Sequence, residues 1–342
     1  MEEIGSVNAY DWLKSHFHDP MLINVLSGSA IKMELRREST SLFTFAHSMN
    51  SYIGSSWRLR GGGHLIVDAL VNDINRLGGK VVCHAEVNQL VEKDGRIVAA
   101  RCSKGNLYEA DVFISDVHPQ VTFGWLSDSK LIKNIYRRRI NTLENSFGIF
   151  TVSLVLKKGA LSYFNHNKYV YRKPNVWTFH EDVGDIGGVM VSCRVPETGN
   201  DARQIDLMTP VPWKLFESWS DTTVGHRGET YGMLKNHLAE ECLRLAERVI
   251  PGLQGMVEKC HTSTPLTYRD YTLTPGGSAY GVRKDCRNLL MTTLSPRTPI
   301  PNLLLTGQSL ILHGVEGVTM TALRTCGELL GKDYVWKIIN CK

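Results

Sequence analysis

Apolar residues recur at helical spacing in three stretches of the chain. Leu65, Ile66, Ala69, Leu70, Val71, Ile74 and Leu77 follow Arg60-Gly61-Gly62-Gly63-His64 and predict a helix that Gly78-Gly79 stops. Within Tyr231 to Ile250, Leu234, Leu238, Cys242, Leu245 and Val249 form one apolar stripe. Lys235, Glu240, Glu241, Arg244 and Glu247 fall on the other faces, and Pro251-Gly252 ends the helix. A third helix is predicted over Thr319 to Gly331, from Met320, Leu323, Cys326/Gly327 and Leu330, with Gly314-Val315-Glu316-Gly317-Val318 opening the segment. Glycines ahead of a helix let a ligand approach the backbone, and the free N–H groups there favour an anion or an electron-rich ring edge.

Strand patterns lie between these helices. Lys80 to Glu92 and Ile97 to Ser103 read as strands joined by the turn Lys93-Asp94-Gly95-Arg96, and Leu107 to Glu109 follows after Lys104-Gly105-Asn106. Ala110-Asp111-Val112-Phe113-Ile114-Ser115 is nearly all apolar and suits a strand buried on both faces. Asn302 to Thr306 is similar, since Pro299 and Pro301 bar a helix before it and Gly307-Gln308 ends it. These two stretches are expected in one sheet, with the Leu65 to Leu77 helix nearby. Phe150 to Leu156, Val189 to Val195 and Ile205 to Met208 have strand composition and belong to a separate, mixed or antiparallel sheet backed by the Tyr231 to Ile250 helix. The predicted class is therefore α/β with α+β character. Its expected divisions are a helical part at 1–56, a helix–meander–strand segment at 57–117, a second domain at 118–275 and a closing segment at 276–342.

Composition removes several functional classes. A chain of 342 residues with 42% hydrophobic and 21% charged residues is ordinary for a globular protein, and a net charge of +5 does not call for nucleic acid. The one tight basic triplet, Arg137-Arg138-Arg139, reads as a solvated helix face. Eight cysteines without a C-x-x-C pair fit buried thiols in a reducing cytosol. No metal site is expected, and His16 and His18 read as an exposed pair at a helix end. The acidic start Met1-Glu2-Glu3-Ile4 is unlike a secretory signal and no run of eighteen apolar residues occurs, so a cytoplasmic location is expected, with peripheral membrane contact left open. His180-Glu181-Asp182 reads as a polar loop. Gly61-x-Gly63-x-x-Ile66 matches a dinucleotide fingerprint poorly. Its third glycine is missing and Ser56 to Arg60 is too polar for the buried first strand, leaving a tight helix entry or a backbone wall of a ligand channel.

In order and spacing, residues 57 to 331 resemble the phytoene desaturase and retinol saturase-like branch of the flavin-dependent amine oxidase superfamily. The resemblance is carried by Trp57 to Gly63 with its helix, by Val87 onward to Asp116-Val117-His118-Pro119, and by Asn302 to Gly331. Tyr268-x-x-Tyr271 and Pro275 to Gly281 add to it. It implies a Rossmann-like, two-domain oxidoreductase that binds FAD and adds or removes hydride at carbon–carbon bonds of a long apolar polyene. Carried over by position, Val87 would offer its backbone to the adenine end, and Gly307 and Gln308 would sit at the pyrophosphate and ribityl chain. Glu316, Gly317 and Val318 would place N–H groups near the flavin N1/C2 carbonyl edge, where a helix start stabilises developing negative charge. His313 and Glu316 flank the expected ring position and are weak candidates for proton transfer. Tyr280 and Trp57 are candidate walls for the apolar substrate.

The front of the chain departs from that family. Residues 1 to 56 contain no strand followed by Gly-x-Gly-x-x-Gly, no facing helix and no acidic residue for the adenosine ribose. Ala9 to Arg37 instead resembles the helical cap that follows such a segment, so the chain is expected to be the later part of a longer protein. Two readings follow. In one, the chain belongs to a flavoenzyme and works when completed by a separate dinucleotide-binding segment or by self-association. In the other, it is a non-catalytic remnant or apolar-ligand-binding module without bound flavin.

Overall fold

The computed structural model describes residues 2–54, 56–174, 176–179 and 185–340, so His180-Glu181-Asp182 lies outside the described residues. After a single helical turn at Glu2–Gly5 come α1 (Ala9–His16), α2 (Pro20–Ser27) and α3 (Leu42–Gly54). Asn8 Oδ1 accepts from the Asp11 N–H and Asp19 Oδ1 from the Met21 N–H, at 3.0 and 2.8 Å, so the first two helices start on side-chain caps. Ala9, Leu13, Ile23 and Phe45 pack around Trp177, whose indole N–H donates to Ser27. The opening helices are thereby fixed to the edge of the large sheet.

Helix α4 (His64–Arg76) forms where its periodicity predicts it, but none of its residues is buried. Its stripe Leu65, Ile66, Leu70 and Ile74 faces solvent and does not pack on the strands it was expected to adjoin. A three-stranded antiparallel meander follows, β1 (Val87–Lys93), β2 (Arg96–Cys102) and β3 (Leu107–Glu109). The first strand is shorter than its composition suggests. His84 adopts φ 55°, a left-handed backbone that no strand accommodates, and pairing begins at Val87. Likewise β4 is only Phe113–Ser115, and Ile114 is 49% exposed, so it is not buried on both faces.

The middle of the chain forms a five-stranded antiparallel sheet in the order β6-β7-β8-β5-β9. Its strands are β5 (Gly148–Leu156), β6 (Asn167–Tyr171), β7 (Gly188–Cys193), β8 (Gln204–Val211) and β9 (Val257–Ser263). Alternate residues of the three central strands, Phe150, Val152 and Leu154, Val189 and Val191, Ile205 and Leu207, are sealed against Leu238, Cys242 and Leu245. Helix α5 (Asn134–Asn141) precedes the sheet and α6 (Gly228–Ala246) backs it. Each large apolar side chain buried this way contributes about 1.5–3 kcal/mol. Strand β8 continues through Pro210, past the Met208 end expected from composition. Its pairing with β7 ends at Met208, so the missing N–H falls on an unpaired side while Pro210 faces Ile149 of β5. Of the arginine triplet on α5, Arg138 is exposed as expected, but Arg137 and Arg139 are half-buried. Arg137 donates to the carbonyls of Leu126 and Ser129 at 2.7 and 2.9 Å, and Arg139 donates to that of Leu290 at 2.9 Å. Of the described cysteines, Cys83, Cys260 and Cys326 are exposed, against the expectation of buried thiols, while Cys102, Cys193, Cys242 and Cys286 are buried.

Strand β10 (Leu303–Leu305) is fully buried and pairs in parallel with β4, so the two strands expected in one sheet do meet. Asn302 secures the junction. Its side chain accepts from the Ile97 N–H at 2.9 Å and donates to the carbonyls of Ile97 and Asp111 at 2.7 and 2.9 Å, joining the meander to the parallel pair. Beyond β10 the chain turns at Gly307 and enters α7 (Gly314–Leu330) and α8 (Lys332–Asn340). No described helix is long and apolar enough to cross a membrane.

Two consequences are testable by urea unfolding. Gly307 has φ 91°, and a Cβ there would lie 2.0 Å from Asp116 Oδ1. Gly307→Ala should therefore lose about 1–3 kcal/mol from backbone strain alone, and adding Asp116→Ala should recover only the part due to the overlap. His118 is buried, donates through Nε2 to Asn145 Oδ1 at 2.7 Å and accepts the Gln120 N–H. Burial first, and the Lys284 charge after it, pull its pKa from 6.5 to about 4 despite the Asn145 bond. The unfolded chain thus binds the extra proton between those values, and stability should fall as pH drops from 6.5 towards 4. The loss should be about 2–3 kcal/mol, and His118→Gln should flatten that slope.

Candidate functional site

The alternation that seals one face of the large sheet turns a second set of residues to the other face, where Ile31 and Phe179 cover part of it. Ile149, Met190, Ser192 and Met208 point away from the core and floor an open cavity of about 640 Å³. Its walls come from the N-terminal helical region (Met33, His47, Tyr52), from Tyr268 and Tyr280, and from the start of α7. Its lining is mixed: methionines, tyrosines and Ile149 alternate with polar groups at the mouth (His47, Glu316), at the inner end (Gln308, His313) and at one side (Lys32, Ser192).

The inner end is held by Tyr280 and His313. Their rings stack with centroids 4.2 Å apart. The Tyr280 hydroxyl donates to the Ile31 carbonyl at 3.2 Å, and His313 Nε2 donates to the Lys32 carbonyl at 2.9 Å. This bond fixes the tautomer and leaves Nδ1 as the acceptor. Burial lowers the His313 pKa, the Lys32 carbonyl opposes it, and the Lys284 charge adds to the lowering, so the ring is neutral near pH 7. Lys284 is itself buried, which brings its pKa down to about 7. Three carbonyl oxygens, of Thr292, Ser309 and Leu310, nevertheless take its three protons within 3.0 Å and hold the charge. Behind the Tyr280–His313 wall lies a chamber of about 40 Å³ reached by Glu34, Arg283 and Lys284. Glu34 pairs with Arg36 at 2.6 Å, while its other carboxyl oxygen is buried and has no hydrogen-bond partner.

The structure brings Gln308, His313, Glu316 and Gly317 together on this cavity. Glu316, 60% exposed, stands at the mouth with His47 Nε2 at 3.6 Å. Helix α7 starts at Gly314, five residues before the predicted start, with His313 as its N-cap. With His313 as N-cap, the amides of Gly314, Val315 and Glu316 lack an intrahelical acceptor, whereas those of Gly317 and Val318 stand at positions whose helical acceptors are the carbonyls of His313 and Gly314. A Cβ on Gly317 would lie 2.7 Å from the Leu312 backbone, so the helix start abuts the preceding loop closely. Val87 is elsewhere, on a separate cavity of about 350 Å³ that it shares with Ile114, Asp116 and Leu303. Gly307 meets that second region through its contact with Asp116. Trp57 is 90% exposed and is not a wall residue, whereas Tyr280 is.

The sequence reading missed Asp116, Lys32 and Tyr52. Asp116 carried a signal, an acidic residue just past the end of a parallel strand, and burial raises its pKa. Lys32 and Tyr52 carried none, because the helical cap that brings them to the cavity is placed by tertiary packing. Among the described residues no group of three or more His, Cys, Asp or Glu is arranged to hold a metal.

No family model matches the chain. It is 25% identical over 312 residues to the all-trans-retinol 13,14-reductase of Macaca fascicularis, covering 83% of this chain and 51% of that protein. It is 23% identical over 339 residues to prolycopene isomerase 2, chloroplastic, of an Oncidium hybrid cultivar, covering 94% and 55%. Among solved structures, an oxidoreductase from Methanosarcina mazei superposes with a TM-score of 0.62 at 19% identity, covering 92% of this chain and 67% of that one. The chain spans about half the length of the curated relatives it matches. In sequence it is retinol saturase-like along most of its length, and in fold it has the mixed α/β architecture of the oxidoreductase from Methanosarcina mazei.

Proposed function

We propose that the chain is the later portion of an FAD-dependent oxidoreductase that acts on carbon–carbon bonds of a polyene or similar apolar substrate. The carrying observation is the 640 Å³ cavity, floored by Ile149, Met190 and Met208 and closed at one end by the amide-bearing start of α7. Its apolar floor and tyrosine walls suit an apolar ligand. The similarity to proteins named for a retinol reductase and a prolycopene isomerase supports the same substrate class.

The residues present fit one end of FAD. Gly317 leaves no room for a side chain against Leu312, so backbone lies bare where Glu316 and Gly317 line the cavity. The free amides of Gly314 to Glu316 would hold the N1/C2 edge, Gln308 and Gly307 the chain behind it, and Val87 the adenine end. When bound, FAD supplies hydride donation or acceptance. The chain's own residues bind, orient and exclude water. The α7 amides and dipole favour negative charge at the cavity's end. The stacked Tyr280–His313 wall shuts out solvent, and neutral His313 offers Nδ1 as a proton acceptor.

A second arrangement is favoured by the two-stranded parallel sheet and by the uncovered apolar stripe of α4. Parallel strands are stable when flanked on both sides and covered on both faces. We infer that a dinucleotide-binding segment, or self-association, completes the sheet, and that the 342 residues alone hold FAD weakly.

Two measurements test these readings. Retinol should bind the cavity with a fluorescence change, and Met208→Trp should weaken it at least about tenfold, the effect of filling apolar space, with an unchanged unfolding midpoint. Failure of the unaltered protein to bind retinol at micromolar concentrations would count against the polyene reading. In an FAD titration followed by flavin fluorescence quenching, the unaided chain should bind more weakly than micromolar. A strand–Gly-x-Gly-x-x-Gly–helix segment supplied in trans should tighten binding about a thousandfold, as several charge-assisted hydrogen bonds would; submicromolar affinity of the unaided chain would overturn the need for it.

A further inference from the structure

The cavity-facing side of the large sheet is not uniform along its strands. The register places Tyr169, Met190, Met208 and Thr151 in one row and Asn167, Ser192, Asp206 and Ser153 in the next. One step along the strands, the floor changes from mainly apolar to wholly polar. Ser192 and Lys32 line both the 640 Å³ cavity and a second pocket of about 410 Å³, so the two spaces adjoin at those residues. The second pocket is walled by Arg58, Arg194, Asn167 and the bare backbone of Gly61 to Gly63.

Its charges do not balance. Asp206 is already taken, accepting from Ser153 at 2.6 Å, Gln204 at 3.2 Å and Arg194 at 2.7 Å. Arg194 is thereby neutralised. Arg58 is braced by donating to the Cys193 carbonyl and to Asn167 Oδ1, neither of which carries charge. The Lys32 ammonium lies 5.5 Å from the centre of the Tyr52 ring, and its pKa is lowered by burial and then by the nearby Arg58 charge. Among the described residues neither Lys32 nor Arg58 has a carboxylate partner. Tyr52 and Tyr169, the other titratable groups against them, are held neutral by burial. Two adjacent, partly buried cations repel each other unless an anion joins them.

We propose that this pocket is the head-group site for a carboxylate at the end of the elongated apolar ligand, whose chain lies in the larger cavity. This rests on the polyene reading above and narrows it, from a plain hydrocarbon to an amphipathic polyene acid. Arg58, fixed by its two neutral partners, presents a planar donor edge to the carboxylate, and Lys32 supplies the second charge at the junction of the two spaces.

The test uses the full chain without added flavin, and cis-parinaric acid and its methyl ester as fluorescent probes. The acid should bind at least about tenfold more tightly than the ester, the effect of one charge-assisted hydrogen bond, and the preference should shrink as salt rises. Lys32→Met and Arg58→Gln should each reduce the preference while leaving ester affinity unchanged, which also reports that the variants are folded. Equal affinity for acid and ester in the unaltered protein, or variants that weaken both probes alike, would overturn the head-group site and leave the apolar-chain reading standing. Failure of both probes to bind would overturn the two together.

Discussion

The strict alternation of side chains in the five-stranded sheet is the constraint on which the rest depends. Because successive residues of β5, β7 and β8 point to opposite faces, the choice of Phe150, Val152 and Leu154, Val189 and Val191, and Ile205 and Leu207 for the core also sets which residues meet the ligand space. Ile149, Met190 and Met208 are on the cavity because their neighbours are not. A slip of one residue in the β5–β8 register would exchange the two sets and bury Ser153 and Asp206 against α6. Burying that carboxylate in an apolar core carries a large desolvation penalty, so the packing that stabilises the sheet also secures the site.

The second element is the meeting of β4 and β10. Only three residues of each pair; β10 is buried and its outer edge meets Pro296 and Arg297, while Ile114 of β4 is half exposed. What holds them is lateral. The Asn302 side chain satisfies both backbone groups of Ile97, and the Thr325 hydroxyl of α7 donates to the Leu305 carbonyl at 3.0 Å. The start of α7 is therefore referenced to the strand end through its own helix, while His313 is referenced to the opposite wall through the Lys32 carbonyl. The free amides and the apolar floor come from distant parts of the sequence, and these two anchors set the gap between them.

Much of this was legible from periodicity. The α6 stripe, the three central strands of the large sheet and the parallel pair follow from patterns of 3.6 and 2 read over windows long enough to average out tertiary effects. Strands β6 and β9 were not read. In β6, Asn167-Lys168-Tyr169-Val170-Tyr171 has its polar row facing the ligand side, and most of β9 is exposed and polar, so neither offers an apolar run. The stripe of α4 gave a correct helix and an incorrect burial, since an apolar face records what a helix is suited to cover and not what lies there in this chain. Arg137 and Arg139 were misjudged for a related reason: composition reports charge, and nothing local reveals that carbonyls of two separate loops converge on it. In the site, glycines and the helix start were visible because they act through backbone. Lys32, Tyr52 and Arg58 converge through long-range packing, which leaves no mark on local sequence.

The neutrality of His313 decides what the closed end of the cavity can do. Its Nε2–H is committed to Lys32, burial disfavours a second proton, and the nearby Lys284 ammonium adds to that effect. The ring can therefore accept a proton at Nδ1 near pH 7 but does not store one. A second buried titratable group lies on the other side of the wall. Burial raises the Glu34 carboxyl above the usual carboxylate range, against the opposing pull of Arg36, Arg283 and the Phe147 backbone, and its second oxygen faces no partner. Met33, Tyr280, Gln308 and His313 line both spaces, so His313 and the Glu34 carboxyl are separated by one layer of side chains. A wall so placed closes one end of the cavity with two stacked rings and sets a buried carboxyl one layer of side chains behind them, so a change of charge at Glu34 would be felt at His313 through a medium that screens it poorly.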